Sequence, residues 1–151
     1  MLIKIIVCVI GLGVNISNAQ MDNPREQKPY GLSINMLGPT GFLSLSADYF
    51  TSPTINIEFG AGYMGCYGCV KYHINGSKNI STTKYIGISY SIVNFNFPNM
   101  YKDNYNFIFI PIGLTKNKKN GFTFGGDVAL AYNINTNKIG PWGGIKIGYH
   151  F

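Results

Sequence analysis

The chain has 151 residues, enough for one domain of ordinary size. It is basic, with 12 Lys and Arg against 6 Asp and Glu, and 15% of its residues are aromatic. This composition excludes a highly charged, weakly hydrophobic disordered protein. After residue 20 the sequence has no sustained i, i+3, i+4 apolar spacing, so a helical fold is excluded as well.

The first 19 residues have the pattern of a secretory signal peptide. Lys4 supplies the positive start, and residues 5–14 form an apolar run that is too short to span a bilayer as a helix. Ser17 and Ala19 are small residues at the two positions that a signal peptidase inspects. The chain is therefore expected to be exported.

The positive charges are spread along the sequence, and their densest group falls in a predicted turn, at Lys116, Lys118 and Lys119. An exported protein seldom meets nucleic acid, so no nucleic-acid partner is expected. The cluster is explained by a solvated loop or by a loop that contacts anionic lipid head groups.

Beyond a polar segment at residues 20–29, predicted to be flexible, strands follow one another to residue 151. Most of them carry apolar side chains at every second position, which is typical of a strand with one polar and one apolar face. The predicted strands are residues 30–37, 42–50, 54–64, 69–75, 84–95, 105–115, 121–132 and 140–151. Short turns between them predict one all-β domain at residues 30–151, an eight-stranded antiparallel up-and-down transmembrane β-barrel.

The composition of the polar face favours its placement inside the barrel. It is rich in small residues, namely Ser44, Ser46, Gly60, Gly62, Gly87, Ser89, Ser91, Gly125 and Gly148. Small side chains suit the crowded interior of an eight-stranded barrel. A soluble ligand-binding barrel, which hides its apolar face, would carry more Lys, Glu and Thr on its outer face, and it is kept as an alternative. In residues 105–115 both faces are apolar, so the orientation of that strand stays open.

The last predicted strand alternates apolar residues up to an aromatic end, at Ile145, Ile147, Tyr149 and Phe151. This pattern resembles the C-terminal strand of bacterial outer-membrane β-barrels, which their assembly machinery recognises. The chain as a whole resembles the small eight-stranded OmpA/OmpX-type barrels. The resemblance implies a location in the bacterial cell outer membrane with periplasmic termini, and two partners: outer-membrane lipid and the barrel assembly machinery.

Cys66 and Cys69 form a C-x-x-C motif, predicted to lie in a tight turn. Export to an oxidising compartment and the short distance between residues i and i+3 of a turn favour a disulfide. Two unpaired thiols remain possible, and a redox pair lacks a thioredoxin-like setting. A metal site with His73 is disfavoured, because His73 would lie roughly 13 Å along the strand from Cys69.

The polar face carries ionisable residues that are predicted to form ion pairs inside the barrel: Asp48, Glu58, Lys71, His73, Asp127, Lys146 and His150. A turn centred near Thr136 places Asp127 opposite Lys146, so these two are predicted to pair. Some lipid A-modifying barrels use a His with a Ser and an acidic residue, but His150 falls at the periplasmic rim, away from the outer leaflet.

The expected function is therefore a structural or surface-recognition role in the outer membrane. No channel is expected, because side chains fill an eight-stranded interior. No catalysis, cofactor or metal is expected either. Any extracellular partner stays unknown. The alternatives are a lipid A acyl-modifying enzyme and, less favoured, a soluble periplasmic ligand-binding barrel.

The role of Phe151 can be tested by deleting it. A side chain of this size contributes about 1.5–3 kcal/mol when buried, so refolding into detergent should survive the deletion. The yield in the outer membrane of cells should fall sharply, because the assembly signal implied by the resemblance is lost. Refolding yield and membrane yield are measured on the same variant; a normal membrane yield would contradict the assembly role.

Overall fold

Strands occupy most of the chain in the computed structural model, which describes residues 23–95 and 103–151. One short helix, α1 (Pro24–Gln27), comes first. The strands that follow are β1 (Tyr30–Met36), β2 (Leu43–Ser52), β3 (Ile55–Gly62), β4 (Gly65–Ile74), β5 (Thr82–Phe95), β6 (Asp103–Asn117), β7 (Phe122–Asn133) and β8 (Lys138–His150). The predicted signal peptide at residues 1–19 lies outside the described residues.

Each strand pairs antiparallel with the next one along the chain, and β8 pairs with β1, so the sheet closes into a barrel. The predicted all-β, eight-stranded antiparallel up-and-down barrel is confirmed. Closure pairs the backbone N–H and C=O groups that an open sheet would leave at its edges. Within the described residues no helix is long and apolar enough to cross a membrane.

Side chains alternate between the two faces of the sheet, as the period of two predicts. In β2, for example, Leu45 is exposed on the outer face while Ser44 and Ser46 are buried inside. The same alternation settles the orientation of β6, where Ile112 is exposed on the outside and Phe109 is buried in the interior. Small and polar residues therefore line the interior, as predicted.

The closing strand presents its alternating apolar residues to the outside, opposite those of β1. Tyr149 faces Leu32, and Ile147 faces Ile34, in the register of the two strands. The pairing continues to Phe151, whose backbone N–H donates to the carbonyl of Tyr30 at 2.8 Å. The apolar residues of the two strands thus form one continuous outer surface across the closure.

The two ends of the barrel differ in their connections. The end that carries α1 and Phe151, here called the proximal end, has the connections at residues 53–54, 75–81 and 118–121. The opposite, distal end has the connections at residues 37–42, 63–64 and 134–137. The connection between β5 and β6 also belongs to the distal end, and its residues 96–102 are not among those described.

In the segment that precedes β1, predicted to be flexible at residues 20–29, the structure describes residues from 23 onward and has a single helical turn at α1. Asn23 caps α1 by accepting a hydrogen bond from the backbone N–H of Arg25 at 3.2 Å, and Pro24 occupies the first turn. A single helical turn has no apolar periodicity, so the sequence pattern that predicts longer helices does not detect it.

The structure corrects the prediction of a disulfide between Cys66 and Cys69. Gly62 pairs with Gly65, so the hairpin turn lies at residues 63–64, and both cysteines belong to β4. Residues three apart on a strand are separated by about 10 Å and face opposite sides of the sheet. Cys66 is exposed, Cys69 is buried, and both are free thiols. A disulfide would require the strand to be rebuilt.

We expect two reactive thiols per chain once residues 1–19 have been removed. The protein is denatured without reductant and treated with a maleimide-polyethylene glycol, which shifts its mobility once for each free thiol. The Cys66→Ser variant should take one label and serves as the control. If the wild-type chain took labels only after reduction, the predicted disulfide between Cys66 and Cys69 would be correct.

Candidate functional site

The outer wall of the barrel is apolar and exposed. We call its outward-facing residues between the two ends the apolar belt: Leu32, Ile34, Leu45, Phe59, Val70, Tyr72, Ile86, Ile88, Ile110, Ile112, Leu114, Val128, Leu130, Ile145 and Ile147. Exposure reaches 71% for Val128. Contiguous apolar surface of this extent marks a face that is covered by something other than water.

The interior has the opposite character. The largest fully buried side chains in the described part of the chain include Arg25, His73, Glu58 and Asn56. Such residues are seldom buried in water-soluble proteins unless they are paired. The polarity of this barrel is therefore inverted, with charged groups inside and aliphatic groups outside.

Aromatic side chains mark the proximal margin of the apolar belt. The rings of Tyr30 and Tyr49 stack with centroids 4.9 Å apart, and the ring of Phe151 stacks on Tyr30 at 6.5 Å. Tyr149 and Phe122, which face each other across β7 and β8, continue this row. Amphipathic aromatic residues at the edge of an apolar band are typical of a protein that crosses from hydrocarbon to water.

Glu58 on β3 is the centre of the interior network. Its carboxylate accepts from Lys71 Nζ at 2.6 Å, from Lys146 Nζ at 2.9 Å and from the hydroxyl of Tyr67. The carboxylate is almost fully buried, so these charged donors replace its hydration. The three partners come from β4 and β8, and Glu58 thereby ties the two sides of the barrel together.

Asp48 on β2 is the second carboxylate of the network. It accepts from Lys146 Nζ at 2.8 Å and from the side-chain amide of Asn56 at 3.0 Å, and it faces His150 Nε2 at 3.2 Å. Lys146 therefore bridges Asp48 and Glu58, which face each other directly in the register of β2 and β3. Without a cation between them, two adjacent buried carboxylates would repel each other.

The predicted pair of Asp127 and Lys146 is not formed. The turn between β7 and β8 is closed by Asn133 opposite Lys138, which shifts the register by two residues and places Asp127 opposite Gly144. A shift of two keeps every side chain on its predicted face but changes its neighbour. Asp127 instead accepts from the hydroxyl of Tyr85 at 2.5 Å.

Tyr85 connects Asp127 to the rest of the network. The ammonium group of Lys71 lies 5.0 Å from the centroid of the Tyr85 ring, within the range of a cation–π contact. Lys71 is thus held by Glu58 on one side and by an aromatic face on the other. All the ionisable residues predicted to face the interior do so. All of them except His73 belong to one connected network, which we call the charged layer.

Arg25 closes the proximal end. Its guanidinium donates to the carbonyl of Gly76 at 3.4 Å and to Thr83 Oγ1 at 3.1 Å, and its residue is 1% exposed. Asn23 adds a hydrogen bond from its amide to the same carbonyl at 2.7 Å. Helix α1 is therefore fastened into the barrel mouth as a plug.

The plug carries a charge that no carboxylate contacts among the described residues. Burial lowers the pKa of Arg25 to about 10, so the guanidinium stays charged at neutral pH. Next to the plug, on β4, His73 forms a hydrogen bond of 2.9 Å with Thr83. The Phe50 ring packs between His73 and His150, with centroid distances of 5.2 and 5.5 Å. Side chains thus fill the cross-section at this level.

Little space remains on the distal side of the charged layer. A cavity of about 30 Å³ lies there between Glu58, Lys146 and Pro39, enough for one or two water molecules. Trp142 lines it as well, and the indole N–H of Trp142 donates to the carbonyl of Gly38 at 3.1 Å. Phe109 and Ala129 also line this cavity, and Phe109 packs with Ala129 and Ala131 in an apolar cluster.

The two histidines have different partners. Both ring nitrogens of His150 face oxygen atoms, the carbonyl of Lys28 and the carboxylate of Asp48. His73 Nδ1 instead lies 2.9 Å from the hydroxyl of Thr83, and no carboxylate hydrogen-bonds to its ring among the described residues. In the described ranges, no three His, Cys, Asp or Glu side chains come together as ligands for a metal ion.

Three residues of this site are missing from the predicted set of interior residues. Tyr85 can be identified from the sequence, because it lies two and four residues from Gly87 and Ser89 and therefore points to the same inward face of the strand. The sequence pattern predicts a turn at Tyr67, between the two cysteines, and a turn residue has no predicted inward face. Arg25 gave no signal, because its burial depends on one helical turn folding back into the barrel mouth.

Glu58→Gln tests the network. It should lower the free energy of unfolding by about 3 kcal/mol, because it leaves two mostly buried lysines short of a carboxylate. The control Asp127→Asn should change it by less than about 1 kcal/mol, since the amide oxygen still accepts from Tyr85. Guanidinium unfolding in detergent micelles measures both. Equal losses would favour the predicted Asp127–Lys146 pair instead.

Comparison with known proteins leaves the site to be interpreted from its own geometry. No family model, no curated protein and no solved structure matches this sequence. The likeness to small barrels therefore rests on architecture, on eight antiparallel strands closed around a filled interior.

Proposed function

We propose that this chain is an integral outer-membrane β-barrel of the OmpA/OmpX type. It sits in the bacterial outer membrane with its proximal end toward the periplasm. The observation that carries the proposal is the apolar belt around a charged interior. In water, exposing this belt costs about 25 cal/mol for every Å² that a bilayer would cover. A soluble ligand-binding barrel distributes its residues the other way round.

The strand lengths agree with this placement. β2 and β4 have 10 residues each, and β5 to β8 have between 12 and 15. A tilted strand needs about 9–11 residues to cross the hydrocarbon core. β1 and β3 are shorter, with 7 and 8 residues. After β1, the exposed Leu37 and Phe42 continue the apolar surface at the distal end.

The filled interior favours a role other than transport. The charged layer crosses the interior, Arg25 is buried at the proximal mouth, and the cavity lined by Trp142 holds about 30 Å³. An eight-stranded barrel has room for side chains but not for an aqueous channel. We therefore propose a structural or surface-recognition role, without channel or catalytic activity.

The distal end supports the recognition part of this role. Tyr63 lies at the tip of the β3–β4 hairpin with 93% of its surface exposed. Ile139 and Ile134, near the β7–β8 turn, are also exposed. Exposed aromatic and aliphatic side chains at loop tips are typical anchors in protein interfaces.

The placement of the belt in a bilayer can be tested by substituting Ile112→Arg. Ile112 lies near the middle of the belt, four residues from Lys116 on β6. An arginine at the bilayer midplane should cost about 2–4 kcal/mol of unfolding free energy. Guanidinium unfolding of protein refolded in phospholipid vesicles measures the loss.

Ile134→Arg is the matched control. It makes the same chemical change in the exposed β7–β8 turn, outside the belt, where we expect a change within about 0.5 kcal/mol. If Ile112→Arg were equally harmless, the outer wall would face water and the soluble barrel would replace this proposal. Fractionation of the wild-type protein with the outer membrane gives an independent check in cells.

A further inference from the structure

Lysines form a continuous group around part of the proximal end. We call this group the proximal basic arc: Lys28, Lys78, Lys84, Lys116, Lys118 and Lys119. It runs from the segment before β1 across the β6–β7 turn to the β4–β5 connection. At the distal end, Lys138 is the lysine that the structure describes. The two ends of the barrel therefore differ in charge.

The arc has no acidic partners within the described residues. The ion pairs found there involve Lys71, Lys146 and His150, all of which point into the interior. Of the acidic residues that the structure describes at this end, Glu26 on α1 lies outside the barrel wall. Asp48 and Glu58 are buried with their own partners. Among the described residues, the positive charge of the arc is therefore not neutralised by a carboxylate.

Aromatic contacts hold two members of the arc at the edge of the apolar belt. The ammonium group of Lys28 lies 5.4 Å from the centroid of the Tyr149 ring, and that of Lys118 lies 5.3 Å from the Phe122 ring. Lys28 also donates to the carbonyl of Asn120 at 3.4 Å, which joins it to the β6–β7 turn. The charges therefore sit directly beyond the aromatic margin of the belt.

Two other members point sideways from the barrel wall. Lys84 on β5 and Lys116 on β6 are exposed at outward-facing positions, and their strands pair so that Thr82 faces Lys116 and Leu114 faces Lys84. A soluble partner that approached along the barrel axis would contact the turns. Groups on the side wall next to an apolar belt instead face the surrounding lipid, into whose head-group layer a lysine can extend its amine.

We infer that the proximal basic arc binds the phosphate groups of anionic phospholipids in the leaflet that surrounds the proximal end. The inference rests on the proposed membrane function and adds the lipid class that this end selects. Each lysine close to an anionic membrane surface contributes roughly a fivefold preference. Because the lysines are adjacent, one bound lipid can contact more than one of them.

The experiment uses the intact protein refolded into nanodiscs of phosphatidylcholine and phosphatidylglycerol in a ratio of about seven to three. Detergent extraction and native mass spectrometry then report which lipids stay bound. We expect phosphatidylglycerol to be retained over phosphatidylcholine by at least about fivefold, and the preference to decrease at high salt.

Substitutions at the two ends separate the arc from general charge effects. Lys116→Gln should reduce the preference several-fold, and Lys84→Gln combined with Lys116→Gln should reduce it several-fold further. Lys138→Gln, the matched control at the distal end, should leave it unchanged. Circular dichroism confirms that each variant is folded.

Insertion without any preference for phosphatidylglycerol would overturn this inference and leave the membrane barrel standing. An equal loss of preference in Lys138→Gln would also overturn it, because binding would then follow net charge. A wild-type protein that stays soluble and inserts into neither lipid would overturn the proposed function itself. The failure of one proposal is therefore distinguishable from the failure of the other.

Discussion

The closure of β8 on β1 is the constraint on which the rest of this structure depends. Once the register joins Gly31 to His150 and Met36 to Ile145, each wall strand has a partner on both sides. Backbone hydrogen bonding is then completed within the wall, and side chains are free to differ on its two faces. Every second residue must point into a space that is only a few side chains wide.

The interior satisfies that constraint by combining glycines with long polar side chains. The Tyr67 ring lies against Gly60, where an added Cβ would come within 2.2 Å of the ring. This close approach lets the Tyr67 hydroxyl reach Glu58. Similarly, Gly148 leaves room for Ser33 on the neighbouring strand. The small residues of the polar face therefore leave the space that the charged network occupies.

The sequence was sufficient for the fold class and for the direction of most side chains, because both follow from a period of two. The exception is β6, which is apolar on both faces: its orientation follows only from the structure, with Ile110 and Ile112 outside and Phe109 inside. The predicted ion-pair partner of Lys146 was wrong, since Lys146 binds Asp48 and Glu58 rather than Asp127. The register of β7 against β8 depends on where the turn between them closes, and a shift of two residues leaves the alternating pattern unchanged.

Other features depend on contacts that no local pattern encodes. The C-x-x-C motif has the spacing of a turn, but Gly62 pairs with Gly65 and the hairpin turn is therefore complete before Cys66. The burial of Arg25 is fixed by Gly76 and Thr83, which are more than 50 residues away in sequence. Short-range spacing cannot report such distant partners.

The distribution of charge follows from the same geometry. In the interior, Asp48 and Glu58 are matched by Lys71 and Lys146, so the four charges compensate one another over short distances. Compensated charges in a closed interior produce little field outside. The lysines of the proximal basic arc have no such partners in the described part of the chain. Among the described residues, they therefore dominate the electrostatic potential around the proximal end. The two ends of the barrel consequently differ in charge, although the apolar belt runs around the whole wall between them.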